Sequence, residues 1–260
     1  LVAVGKLRPG WPPRVSVRQY AALQKLDDVR SIGLLAFATP MVNIVGNGVP
    51  QRVEATYADH SLLPTLGMRP QLGRNFVAGE DSPQGLSVVM LTHDFWERQY
   101  AGNPAVIGQT MKVEGAPHTI IGVLPETFVA AGTGGDIVLP AVLTPGSAGD
   151  EPMYLAIARL ADGATPAAVG AQVEARLRAD AASSGTSRND HARFGASDYR
   201  TALHVQGIRV LVLFQASALL VLLVALVNEA NLMLLRALAR QRDTAVRSAL
   251  GARRWRLGVP

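Results

Sequence analysis

The side chains best placed by type and spacing to do chemistry are His93, Asp94 and Glu97, within the segment HDFWERQY. An imidazole beside two carboxylates suits general acid–base catalysis or a metal site. A helical zinc site, however, needs a second His one turn after the first, and position 97 holds Glu. The segment therefore reads as a helix start capped by Asp94, with Phe95 and Trp96 as core anchors. Glu80-Asp81 are adjacent carboxylates that a polar loop explains equally well. His60, His118, His191 and His204 are scattered and form no ligand cluster. Gly132-Thr133-Gly134-Gly135 is glycine-rich, but no Lys-Ser or Lys-Thr follows, so it is no phosphate-binding loop and the chain is not expected to bind ATP itself. No G-x-S-x-G nucleophile elbow occurs. The absence of cysteine excludes disulfides and thiolate metal sites and suits a bacterial extracytoplasmic domain. The expectation is a non-catalytic protein with no metal and no cofactor.

The strongest physical signal lies elsewhere. Residues 210–227 read VLVLFQASALLVLLVALV, with Gln215 and Ser217 as the polar members. Thirteen of these residues are Val, Leu or Phe. Each gains roughly 0.3–0.6 kcal/mol at a bilayer centre, a total of roughly 4–8 kcal/mol. A helix rises about 1.5 Å per residue, so about 20 residues cross the hydrocarbon layer. The uncharged run between Arg209 and Glu229 has nineteen residues and is expected to be a transmembrane helix. A buried core helix is the alternative, but such helices seldom stay apolar on every face for this length.

Charge orients that helix. From Arg236 to Pro260 there are seven arginines against one aspartate, a charge of +6 where the whole chain carries +5, so residues 1–235 sum to −1. The positive-inside rule puts the arginine-rich segment, residues 236–254, in the cytoplasm and residues 1–209 outside. The basic balance then reflects one juxtamembrane segment facing anionic headgroups, not nucleic acid. Leu1 follows no signal peptide and the chain stops soon after an interfacial Trp-Arg pair, so both ends read as cut.

The elements that must carry these features are legible in part. Residues 1–13 are rich in Pro and Gly and read as loop. Val15 to Val29 has a helical face with Ser16 as N-cap. Leu34 to Val45 is apolar and β-prone. Gln51–Tyr57, 87–92, Ile137–Leu139 and Tyr154–Leu160 read as strands. Gln109–Val113 and His118–Val123 form a hairpin about Glu114-Gly115. A short helix covers His60–Leu66 and ends at Gly67, and Pro70 to Asp81 is loop. Thr165-Pro166 starts an amphipathic helix to about Ala181, with Val169, Val173 and Leu177 as its stripe. Residues 182–200 read as a polar linker. The external part is thus an α+β domain, two-lobed, whose element order is too irregular for a doubly wound sheet.

The segment TLGMRPQLGRNF (65–76), followed by Glu80-Asp81, resembles the LGxxPxxGRxFxxxED stretch of MacB/FtsX-like ABC transporter permeases. Residues 88–128 (VVMLTHDFWERQYAGNPAVIGQTMKVEGAPHTIIGVLPETF) resemble the next part of the same periplasmic core domain. ARLADGAT (158–165) is similar to the family's RLxxGxT, and residues 228–257 match NxANLLLxRxxxRxREIAVRxALGAxRxRL. Four motifs in one order, bracketing a membrane helix, are specific together. The likeness is greatest to the branch in which one chain carries two permease halves.

The resemblance implies a periplasmic core domain (1–200), a stalk and membrane helix (201–235), and a cytoplasmic coupling helix leading to the next span (236–260). It implies a permease of an exporter that moves periplasmic domains by mechanotransmission, expelling drugs, peptides or lipoproteins, in the bacterial inner membrane. ATP would be hydrolysed by a partner ATPase subunit or domain. Further partners implied are a second permease half or homodimer partner, membrane lipid and, optionally, a periplasmic adaptor. The ATPase-coupling residues would be Arg242, Asp243, Val246, Arg247, Ala249, Leu250, Gly251 and Ala252, where small residues permit close backbone approach. Asp243 and Thr244 depart from the family's Glu and Ile, and Thr244 weakens the apolar contact. An ordinary basic helix binding headgroups is the plainer reading of this segment. Asn228 and Asn231 are expected to pack against other helices, while Glu229 sits in the headgroup zone. A membrane-tethered sensor is the alternative function, and a membrane-anchored hydrolase would need a catalytic constellation that the sequence does not show.

Overall fold

Apolar and β-branched runs interrupted by glycine turns build the part of the chain before residue 199 around one sheet. The structure is a computed structural model that describes residues 1–46, 48–128, 135–143, 153–183 and 193–249. In order the elements are β1 (Val2–Arg8), β2 (Trp11–Arg14), α1 (Val17–Leu23), β3 (Val29–Ala36), β4 (Met41–Val45), β5 (Pro50–Ala58), α2 (Leu62–Leu66) and β6 (Leu72–Gly73). They continue with β7 (Val88–Leu91), α3 (His93–Tyr100), a 3-10 turn (Pro104–Val106), β8 (Thr110–Val113), β9 (Ala116–Val123), β10 (Ile137–Pro140), β11 (Tyr154–Leu160), α4 (Pro166–Ser183), β12 (Arg193–Asp198) and α5 (Tyr199–Ala249). The chain divides into two units, Leu1–Gln206 and Gly207–Pro260.

Six strands of the first unit close into a ring. β5 pairs with β10, β10 with β7, β7 with β9, β9 with β8, β8 with β4, and β4 returns to β5. Inside lie Ile44, Val89, Leu91, Met111, Ile120 and Ile137, capped by Phe95 and Trp96 of α3. The second half of the sheet leaves the ring through a single β3–β5 pairing, Leu35 opposite Ala58, and continues β3-β11-β1-β12.

Burial follows the two-residue period of a strand. In β7, Val89 and Leu91 point into the ring, while Val88 and Met90 enter a second core with Leu62, Phe76, Leu155 and Ile157. Both faces are covered, so all four residues are apolar. A third core forms where Tyr20 and Leu23 of α1 and Val169, Val173 and Leu177 of α4 cover the other face of the open half. Each fully buried aliphatic side chain of the α4 stripe contributes about 1.5–3 kcal/mol relative to exposure.

Local signals behave as their chemistry requires. Ser16 and Gln19 form a reciprocal capping box, and the Thr165 hydroxyl accepts from Ala168 N–H at 3.2 Å. Glu114 and Gly115 both take positive φ, the conformation of a tight hairpin turn.

Several expectations are corrected. The first 13 residues are not loop: β1 is an interior strand with Val2, Ala3 and Val4 buried, and β2 follows across a Pro9-Gly10 turn. The helix expected over Val15–Val29 is confined to Val17–Leu23, and Val29 already belongs to β3. Residues 193–198 of the expected linker form β12, paired along β1 from Val2↔Asp198 to Leu7↔Arg193. Residues 184–192, and 129–134 of the expected 125–135 loop, lie outside the described residues. The expected boundary at residues 235/236 falls inside α5, which runs unbroken for 51 residues. No Gly or Pro occurs from Ile208 to Leu250 to interrupt it.

Candidate functional site

Within α5, Val212–Leu238 is long and apolar enough to cross a membrane: 27 residues with a mean hydropathy of 2.2, none of it buried. At about 1.5 Å per residue this covers roughly 40 Å, against roughly 30 Å of hydrocarbon, so its last turns reach the interface. A core helix of a soluble domain would be covered by its neighbours, whereas here Leu213 and Phe214 are 70% and 72% exposed. Exposed apolar side chains on every face of Val212–Leu238 match a lipid-facing rod. Ser217 donates its hydroxyl to Phe214 O at 2.8 Å, which satisfies the one hydroxyl of this stretch within the helix.

Asn228 and Asn231 stand three residues apart near the end of this stretch, and both are exposed. Successive residues turn by about 100°, so Ser217, Val221, Val224, Asn228, Asn231 and Leu235 share one stripe. Glu229 lies about a third of a turn from the centre of that stripe.

Arg242, Asp243, Val246, Arg247 and Ala249 lie on the backbone of α5. Leu250, Gly251 and Ala252 lie outside the described residues. The structure thus places the first five on one helical segment continuous with the apolar stretch.

The candidates for chemistry in the first unit are separated. His93 Nδ1 is 2.9 Å from the Gln71 amide nitrogen, and Asp94 lies in the first turn of α3 behind the N-cap Thr92. Trp96 donates its indole N–H to Asn103 O at 3.0 Å, and Phe95 is buried, so both serve as core anchors. Glu80 and Asp81 do not act as a pair. Arg74 binds Glu80 twice, at 2.7 and 3.0 Å, and Val77 N–H adds a third bond at 2.9 Å. The Arg74 bond, more than the opposing burial, holds the Glu80 carboxyl below its usual range. Asp81 instead faces His60, whose Nδ1 is 2.7 Å from Oδ2. Burial pushes the Asp81 carboxyl up, but the bonds and charge of His60 outweigh it and leave it low. Among the described residues no group of three His, Asp or Glu side chains is placed to hold a metal ion. Of the Gly132–Gly135 stretch only Gly135 is described.

One cluster was not legible in the sequence. Asp59, 2% exposed, accepts from Leu34 N–H and faces the Tyr20 hydroxyl. Nothing in the local sequence YADHSLL marks Asp59 as buried, because Tyr20 comes from 39 residues earlier.

Comparison with known proteins fits this architecture. Residues 1–176 match the family described as the MacB-like periplasmic core domain. Among solved structures, the chain is similar to the periplasmic region of MacB from Actinobacillus actinomycetemcomitans, with 14% identity and a TM-score of 0.54 over 72% of this chain and 80% of that one. A domain of a putative permease protein from Porphyromonas gingivalis is similar at 15% identity and a TM-score of 0.54, over 75% and 89%. The extracellular domain of the ABC-type transporter YknZ from Gram-positive bacteria is similar at 13% identity and a TM-score of 0.50, over 76% and 99%. At such identities the likeness is one of fold. No curated protein matches the chain. The match over residues 1–176, which runs from β1 through β11 into α4, shows that the chain belongs to the MacB-like periplasmic core domain family.

Proposed function

We propose that the chain is part of the permease of an ABC-type exporter and transmits ATP-driven movement across the inner membrane to a periplasmic domain. The supporting observation is the order of parts: a domain of the MacB-like periplasmic core family, then an unburied apolar stretch of 27 residues, then an arginine-rich segment. In this reading residues 1–209 are extracytoplasmic and residues 236–254 cytoplasmic, as the positive-inside rule requires. The chain supplies no catalytic group, and a separate ATPase subunit or domain hydrolyses ATP.

Transmission needs a stiff element, and the run of α5 from Ile208 to Ala249, which has no Gly or Pro, is one. Arg242, Asp243, Val246, Arg247, Ala249, Leu250, Gly251 and Ala252 form the surface that docks on the ATPase. Asn228 and Asn231 hydrogen-bond across to a neighbouring span, in a second permease half or a second copy of the chain. The cargo is a drug, a peptide or a lipoprotein.

The test is coexpression of the complete permease with its ATPase subunit and assay of ATP hydrolysis in lipid nanodiscs. Ala249→Asp should leave membrane insertion intact while abolishing permease-dependent stimulation of hydrolysis. Unchanged stimulation in Ala249→Asp would remove the coupling role from this segment.

A further inference from the structure

The two halves of the sheet meet through the Leu35–Ala58 pairing, and the next residue after β5 is Asp59. Asp59 ties three elements at this joint. Its Oδ1 accepts from Leu34 N–H of β3 at 2.8 Å, its backbone N–H bonds Leu34 O at 3.1 Å, and its Oδ2 lies 2.5 Å from the Tyr20 hydroxyl of α1. The same hydroxyl lies 3.2 Å from Ile32 O.

Counting protons decides how these groups are arranged. A tyrosine hydroxyl has one hydrogen, and an ionised carboxylate and a backbone carbonyl are both acceptors only. With Asp59 ionised, Tyr20 serves one of its two neighbours and the other contact has no hydrogen in it. With Asp59 protonated every contact is filled: Leu34 N–H to Oδ1, Oδ2–H to the Tyr20 oxygen, and Tyr20 O–H to Ile32 O. Burial points the same way, since an ionised carboxylate at 2% exposure with no cation bonded to it among the described residues is costly. We infer that Asp59 is the proton donor of a clamp that joins α1 and β3 to the end of β5, and that the clamp holds only while the proton is bound.

The surrounding charges bear on its titration. Burial raises the Asp59 carboxyl above its usual range and outweighs the bonds from Leu34 and Tyr20; the His60 charge lowers it and Asp81 raises it. His60 and Asp81 are bonded to each other, so their effects on Asp59 oppose. On α1 the facing group is Tyr20, which burial and Asp59 keep protonated, while Gln24, at the C-cap, acts on it in the opposite sense. No ion pair reaches Asp59 among the described residues.

The sign follows from linkage. The folded state binds the proton more tightly than the unfolded chain, so the contribution is complete below about pH 4 and is lost as pH rises through the folded titration. The folded-to-unfolded ratio falls about tenfold for each unit by which Asp59 titrates above its ordinary value. Glu80 and Asp81, held low, act in the opposite sense and below about pH 4, so the two windows are separate.

The experiment uses the whole chain in lipid nanodiscs. The urea midpoint and the hydrogen-exchange protection of α1 amides, corrected for intrinsic exchange rates, are followed from about pH 4 to about pH 8. Wild type should lose both as pH rises. Asp59→Asn, whose amide accepts from Leu34 and donates to Tyr20 as the acid does, should hold both nearly constant over that window. An equal pH dependence in the two proteins overturns the clamp. Carbon-13 labelling of aspartate carboxyls supplies a reading on wild type alone. One aspartate should titrate well above about 3.9, and the inference fails if every aspartate titrates at or below that value.

Discussion

Arg74 and Glu80 face each other fork to fork, Nη2 to Oε1 at 2.7 Å and Nη1 to Oε2 at 3.0 Å, with the Glu80 side chain 4% and the Arg74 side chain 46% exposed. The pair folds the turn after β6 back on itself and buries a carboxylate that only this guanidinium balances at bonding distance among the described residues. Arg74→Leu should therefore destabilise the domain by about 1–3 kcal/mol, as for a buried charged acceptor that loses its donor. The half-open Arg74 keeps the figure below that of a fully buried pair. Arg74→Lys should restore part of it, because a single ammonium cannot reproduce the fork. Urea midpoints of the three proteins check this.

The acid limb of stability should belong to Glu80 and Asp81. Both carboxyls are lower in the folded state than in the unfolded chain, Glu80 through Arg74 and Asp81 through His60 against its burial. Their contribution is present above about pH 4 and is lost as pH falls through their folded values. Glu80→Gln and His60→Ala should each reduce the loss of stability between about pH 4 and about pH 2. Midpoints measured at stepped pH test it, and an unchanged acid limb would contradict the assignment.

Gly73 should tolerate no side chain. Its φ is +70°, and a Cβ there would lie 2.1 Å from Ile121 O across the β6–β9 pairing. Gly73→Ala should cost about 3 kcal/mol or more, from backbone strain plus forced separation of the strands. Gly79, with φ +97° and nothing within 4 Å, is the control. Gly79→Ala should cost only about 1–2 kcal/mol. Thermal unfolding of both variants separates conformational strain from collision.

Asn228 and Asn231 should support association in the membrane. Replacing each with Leu is expected to weaken contact between spans by about 0.6 kcal/mol per residue. Fluorescence transfer between labelled permeases in bilayers reads the change, and equal transfer would assign these residues to the headgroup zone.

Cysteine labelling should report the orientation. Ala167, exposed at the start of α4, becomes reactive from outside intact spheroplasts as Ala167→Cys. Ser248→Cys should react only after the membrane is opened. The reverse pattern would invert the proposed topology.

Strong local patterns were legible in the residues. The Ser16 N-cap, the Gly67 helix stop, the Glu114-Gly115 hairpin and the Val169, Val173 and Leu177 stripe all appear where short-range spacing places them. Each is stabilised by contacts within a few residues or by one continuous apolar face. β1 and β12 were missed for the opposite reason. Residues 1–8 are too short a run to show a period before RPGWPP suggests a turn, and RFGASD has almost no apolar content. β12 exists because β1 offers it a ladder from some 190 residues away, and backbone pairing needs no side-chain signature. His93 and Asp94 do belong to a helix start, but its N-cap is Thr92 and not the expected Asp94.

By itself the sequence determined that one stretch is too apolar for water, that the charge beyond it is basic, and that the motifs between residues 65 and 165 follow one family's order. These are properties of composition and spacing, which need no long-range contact. Tertiary structure alone decided that six strands close into a ring and that Asp59 meets Tyr20 and Leu34 in a buried joint. The same holds for the adjacent acids Glu80 and Asp81, which take different partners. The protonation of a carboxylate depends on which distant groups surround it and how much water is left, and only the folded chain specifies those.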